Sequence, residues 1–347
     1  MKPRSGGVFF GVNALIVRVI KCALALLPSA APALESAQLA VIVNSADPTS
    51  VQIGDYYAAR RHILFQNVIR VAFSPNRTTL TRQEFDVVKA EVDAKSLPNV
   101  QAYALAWAAP YRVECMSITA AFAFGFDAAF CAEGCAPTRH SPYYDSPARL
   151  PFRQHGMRPA MALAATSFEE AKALIDRGVA SDGSNPEGAA YLLSTSDAAR
   201  NVRSASYPLA EKVLQRRLQV HRLEQDALIG AKDVLFYFTG KDRVDGLDTL
   251  RFLPGAIADH LTSAGGQLTD SAQMSALRWL EAGATGSYGT VVEPCAIRQK
   301  FPDPAVLGAH YLRGETLIEA YWKSVAMPGQ GIFIGEPLAA PFRQRRQ

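Results

Sequence analysis

The sequence predicts an α/β fold: a mostly parallel sheet with helices on both faces. Three observations carry this. Apolar runs of strand length recur along the chain, amphipathic stretches opened by capping residues separate them, and the strand-like runs end in turn chemistry. Of 347 residues, 49% are hydrophobic and 20% charged. That is the balance of a folded chain and excludes disorder, collagen and coiled coil.

Gln38 to Val43 is a short apolar run bounded by Asn44 and Asp47-Pro48, as expected of a buried strand entering a turn. Ser50 opens a helix through Tyr56, Tyr57 and Arg61, and a second strand follows from Val68 to Phe73. Thr81-Arg-Gln-Glu84 is a capping box whose helix places Phe85, Val88 and Val92 on one face and stops near Ser96. Tyr103 to Trp107 resumes the strand pattern. Strands alternating with helices in this way point to parallel pairing, because each crossover returns the chain to the same end of the sheet.

Between Trp107 and Pro159 the alternation breaks into an insertion rich in Cys, Tyr and Pro, including Ser141-Pro-Tyr-Tyr-Asp-Ser-Pro147. It then returns. Met161 to Ala165 is a strand, and Ser167-Phe-Glu-Glu170 opens a helix that Gly178 can close. Ala189 to Leu193, Val234 to Phe238 and Ile257 to Thr262 are further strands, separated by a long polar helix from about Pro208 to Gln225 and a loop around Asp248. Ser271 to Glu281 is an amphipathic helix, Ala284 to Val292 the last core strand, and two helical stretches, Pro304 to Leu312 and Glu315 to Val325, lead to Ile332-Phe-Ile334. The sum is about eight strands in a single α/β domain, 34–342, followed by a basic tail, 343–347.

The net charge of +4 belongs to the N-terminus. Lys2, Arg4, Arg18 and Lys21 precede the first acid, Glu35, so residues 34–347 carry 32 basic against 32 acidic side chains. A basic nucleic-acid binder is excluded on that balance. The segment Cys22 to Leu27 behind Lys21, with Ala31-Pro32-Ala33 after it, has the pattern of a signal peptide over 1–33. Its apolar run, broken at Arg18, falls short of the roughly 20 residues of a membrane span, so no stable span is expected after cleavage. An uncleaved anchor is the alternative. The chain is thus expected to be exported, to the periplasm or cell surface.

Loss of the leader leaves Cys115, Cys131, Cys135 and Cys295, an even number that suits disulfides in an exported chain. A Cys131–Cys135 bridge is favoured, closing a tight turn through Glu133-Gly134, with Cys115 and Cys295 either paired or free. A zinc site at Cys131, Cys135 and His140 lacks a fourth local ligand.

In open α/β sheets ligands bind beyond the carboxyl ends of strands. This directs attention to Asp47, Thr239, Ser263 and Glu293 as binding residues. No GxGxxG fingerprint and no GxxxxGK[ST] loop is present, so no cofactor is indicated. Cys295 follows a strand beside Glu293, where a nucleophile with a nearby base such as His260 or His155 could act. Tyr143 and Tyr144, with the Trp107 region, could bind a glycan or peptide.

Asp47-Pro-Thr-Ser50, Thr239-Gly240 with Asp245-Gly-Leu-Asp248, Gly283-Ala-Thr-Gly-Ser-Tyr-Gly-Thr290 with Glu293-Pro-Cys295, and Gly331-Ile-Phe-Ile-Gly-Glu-Pro337 together resemble a family of exported bacterial proteins. That family occurs in bacteria with the exosortase/PEP-CTERM protein-sorting system, and the resemblance spans about Gln38 to Phe342. It implies partners among the components or substrates of surface-protein sorting. The C-terminal order of strands and helices is also similar to gingipain-like cysteine peptidases of the caspase-like fold. Their catalytic histidine and cysteine correspond to Thr239-Gly240 and Thr262-Ser263 here, so that resemblance implies the fold without the peptidase dyad, unless Cys295 and His260 form a relocated pair.

Overall fold

The structure, a computed structural model, describes residues 1–3, 6–8, 33–75, 77–132 and 134–344. The signal peptide expected over 1–33 falls almost wholly outside the described residues, as do Glu133, Arg345 and Arg346. The chain divides into two compact units, Met1–Ala31 and Pro32–Gln347, and the fold belongs to the second.

Its strands are β1 Leu39–Asn44, β2 Val68–Val71, β3 Thr79–Leu80, β4 Ala102–Leu105, β5 Arg112–Val113, β6 Met116–Ser117, β7 Ala160–Ala162, β8 Ala189–Ser194, β9 Gln219–Glu224, β10 Val234–Thr239, β11 Phe252–His260, β12 Gly286–Thr290 and β13 Gly331–Gly335. The helices are α1 Pro48–Arg61, α2 Arg82–Lys95, α3 Ile118–Phe124, α4 Pro151–His155, α5 Phe168–Ser181, α6 Tyr207–Leu214, α7 Leu277–Glu281, α8 Pro304–Leu312 and α9 Leu317–Ser324. Ten strands form one sheet in the order β2-β1-β4-β7-β13-β12-β11-β10-β8-β9, while β3, β5 and β6 form a small separate sheet.

Every neighbouring pair in the large sheet is parallel except β12 with β13. The sheet is therefore two parallel halves of five strands joined at an antiparallel seam, where Gly286 faces Gly335 and Thr290 faces Gly331. The carboxyl ends of the two halves point in opposite directions. β1, β10, β12 and β13 are buried at every position. Successive side chains of a strand point to opposite faces, so both faces of the sheet are covered.

Local chemistry accounts for most boundaries. Asp47 caps α1 by accepting from the Thr49 N–H at 2.9 Å. Thr81 and Glu84 form the expected reciprocal box at α2. Ser167 caps α5, while the Glu170 carboxylate takes the Thr166 N–H and hydroxyl instead of returning to Ser167. Gly178 does not end that helix. It lies inside α5, where a Cβ would strike the Glu336 side chain, and the helix continues to Ser181. Among the described residues no helix is long and apolar enough to cross a membrane.

Three expectations are corrected. The long polar helix to Gln225 stops at Leu214, and residues 219–224 form β9, parallel to β8 at the sheet edge. Charged residues such as Arg222 and Glu224 protect an edge strand from pairing with other chains, and that polarity resembles a solvated helix. The helix expected from Ser271 begins only at Leu277. Before it, the Ser271 and Ser275 hydroxyls donate to the Ala264 and Leu268 carbonyls at 2.8 Å each, local bonds that compete with helix.

The third correction concerns the cysteines. The pairs are Cys115–Cys131 and Cys135–Cys295, with Cα separations of 5.6 and 5.2 Å, and not Cys131–Cys135. A bridge across three residues would restrict little of the unfolded chain. The observed bridges close 16 and 160 residues of sequence and tie the insertion to itself and to the loop after β12. Two disulfides fit an oxidising, exported location.

Candidate functional site

The half-sheet β12-β11-β10-β8-β9 changes order at β8, with β9 on one side and β10 on the other. Past β8 the chain enters the 3-10 turn Asn201–Ser206 and then α6. Arg203, from that turn, reaches beneath the strand ends. Its guanidinium donates to the Thr239 carbonyl at 2.9 Å and the Asp259 carbonyl at 3.2 Å, and pairs with the Asp259 carboxylate. Both side chains are buried. Burial pushes the Asp259 carboxyl up, and the Arg203 charge opposes that shift.

Beside this pair opens a cavity of about 230 Å³, walled in part by Tyr144, Arg203, Arg298, Gln299, Phe301 and Asp303. Asp303 Oδ1 accepts from the Ala305 and Val306 N–H groups at 2.8 and 3.2 Å, capping α8. Arg298 is exposed, with no acidic partner among the described residues. Burial raises the Tyr144 phenol above its ordinary pKa, and Asp303 and Asp145 add to this. The cavity offers aromatic surface, a cation and amide groups, but no nucleophile set beside a free base. Such a lining suits binding.

Tyr144 reaches the cavity because the chain around it is held to α8 and α9. The Ser141 N–H donates to the Ala326 carbonyl at 2.8 Å, and the Asp145 N–H to the Lys323 carbonyl at 2.9 Å. The Asp145 carboxylate lies 3.0 Å from His310 Nε2, while His310 Nδ1 lies 2.8 Å from Glu315. Lys323 donates to Glu315 at 2.7 Å and places its ammonium 5.0 Å from the centre of the Tyr143 ring. Tyr143 is thus a buried post of the network, its phenol pushed well up by burial.

The other expected site residues take different places. Cys295 is bonded to Cys135, and its backbone N–H donates to Glu293 Oε1 at 2.7 Å. Cys295 and Ala296 both hold left-handed backbone, φ 59° and 52°. His260 is buried. Its Nδ1 accepts from Trp279 Nε1 at 2.9 Å, and its Nε2 donates to the Met274 carbonyl at 3.1 Å. Burial lowers its pKa to about 4. Acyl transfer needs a thiolate and an imidazole free to carry its proton. Here the sulfur is in a disulfide and both nitrogens of His260 are bonded.

His155 Nε2 faces the Ser146 hydroxyl at 3.1 Å. Thr239 is buried, and Ser263, part-buried, accepts from Thr290 through its carbonyl at 3.0 Å. Trp107 lies in the core, 5.1 Å from the Phe73 ring, with its indole N–H on the Pro110 carbonyl. Asp47 is a helix cap.

Of the expected residues, then, only Tyr144 lines this cavity. Arg203, Arg298, Phe301 and Asp303 were not foreseen. The one available signal was Asp259, a charge inside the apolar run of β11, which calls for a buried partner. Lys300 was also missed: it is fully buried without a hydrogen-bond partner for its ammonium among the described residues, and burial lowers its pKa. Compared with known proteins, the chain has no match among family models, curated proteins or solved structures.

Proposed function

We propose that this chain is an exported binding protein, periplasmic or at the cell surface and accessory to exosortase/PEP-CTERM protein sorting, that works without a cysteine–histidine dyad. One observation carries the non-catalytic reading: the sulfur of Cys295 is committed to Cys135 and both nitrogens of His260 are bonded. The association with sorting rests on the motif resemblance. The ligand seat is the cavity of about 230 Å³ at Tyr144, Arg298 and Phe301. It is smaller than the roughly 300–1,000 Å³ of pockets for drug-sized ligands, so it suits one or two side chains of a peptide better than a large metabolite.

The test is complementation of a deletion strain whose sorting machinery is intact, scored by surface-protein processing. Cys295→Ala and Cys135→Ala should retain function when folded and exported. Tyr144→Ala combined with Arg298→Ala should lose it. Complete loss with Cys295→Ala alone, in protein that is folded and exported, overturns the reading.

A further inference from the structure

We infer that the basic surface at the C-terminal ends of α6 and α8 docks on an anionic lipid bilayer. Lys212, Arg216 and Arg217 are exposed in the last turn of α6 and just past it, and Arg313, 56% exposed, follows α8. Arg217 lies over the Phe342 ring at 5.8 Å, and Arg343 is the next residue of the chain. A Cβ on Gly314 would come within 3.1 Å of the Arg343 Cα, which brings the α8 end and the C-terminal segment together. Five cations therefore share one surface. Of the nearby acids, Glu211 pairs with Arg222, while Glu315 is buried and turned toward Lys323 and His310.

Helix dipoles explain part of this, since cations at helix C-termini are favourable. They account for Lys212 and Arg313. Arg216 and Arg217 lie beyond the helix with no acid paired to them among the described residues, and Arg343 belongs to neither helix.

The occupant follows from where the N-terminal segment joins. Arg343 Nη2 donates to the Leu34 carbonyl at 2.8 Å. The chain that leads to the apolar N-terminal run thus meets the fold at this surface, and the sequence adds Arg345 and Arg346 after Gln344. A short apolar run beside a cluster of basic residues supplies the two signals that membrane attachment needs.

The test uses the chain from Ala33, which keeps the whole Pro32–Gln347 unit apart from Pro32, so that the leader itself cannot bind lipid. Co-sedimentation is measured with phosphatidylcholine vesicles and with vesicles containing 30% phosphatidylglycerol. Binding is expected only to the anionic vesicles and should weaken as NaCl rises. At about 1 kcal/mol per basic residue near such a surface, Arg216→Gln with Arg217→Gln should lower the partition coefficient by about 30-fold. The exposed positions leave the far-ultraviolet circular dichroism unchanged. Equal binding to both vesicles, no binding to anionic vesicles, no effect of the double variant, or retention only by a soluble anionic polysaccharide overturns the inference.

Discussion

His260 commits both ring nitrogens inside the protein, and its acid–base behaviour follows. Burial lowers its pKa to about 4, below the roughly 6.5 of an unfolded chain. A depressed base binds its proton more readily when unfolded. Its stabilising effect is therefore complete above pH 6.5 and is lost as pH falls toward 4, by about 3 kcal/mol over that interval. Urea unfolding from pH 7.5 to 4.5 should show this slope, and His260→Gln should flatten it whatever its effect on absolute stability. An unchanged slope would contradict the assignment. Such residues were only half legible in the sequence. His260 and Cys295 stand out by type, but Trp279, 19 positions from His260, and Cys135, 160 from Cys295, become partners only through packing. Arg203 had no local signature at all, because its role depends on strand ends that come later in the chain.

Caps and turns decide where the elements begin and end. Asp47 sits at a strand end, where a binding residue is expected, yet its carboxylate serves the first turn of α1. Asp47→Ala should therefore lower stability by about 1 kcal/mol, read from the urea midpoint, and leave complementation by the exported protein intact. Loss of function without loss of stability would restore a binding role. Elements with their own local chemistry were legible: the box at Thr81 and Glu84, the fully apolar β1, and β10. β9 was not, because an exposed edge strand and a solvated helix carry similar residues. Its alternation, in which Val220, His221 and Leu223 are part-buried between exposed Gln219, Arg222 and Glu224, is too short and polar to decide the period alone.

At the scale of the molecule, the seam between β12 and β13 joins two half-sheets, and no local pattern announces it. Parallel crossovers were legible from alternation, whereas the reversal at β13 depends on the route through α8 and α9. Gly331 opens that strand because a Cβ there would drive into the Tyr288 hydroxyl, which donates to the Lys300 carbonyl at 2.5 Å. Gly331→Ala should cost about 1–3 kcal/mol or more by overpacking. It should shift one common unfolding transition, seen alike by circular dichroism and tryptophan fluorescence; separate transitions would mean that the halves fold independently. α6 bears on both proposed surfaces, with Ser206 against the cavity at one end and Arg216 and Arg217 just past the other. Its eight residues span about 12 Å at 1.5 Å per residue. With the basic end on a bilayer, a polypeptide rooted in that bilayer must extend about four residues, at roughly 3.3 Å each, before a side chain reaches the cavity. The helix then acts as a ruler, and membrane-tethered chains with a shorter stalk stay out of reach.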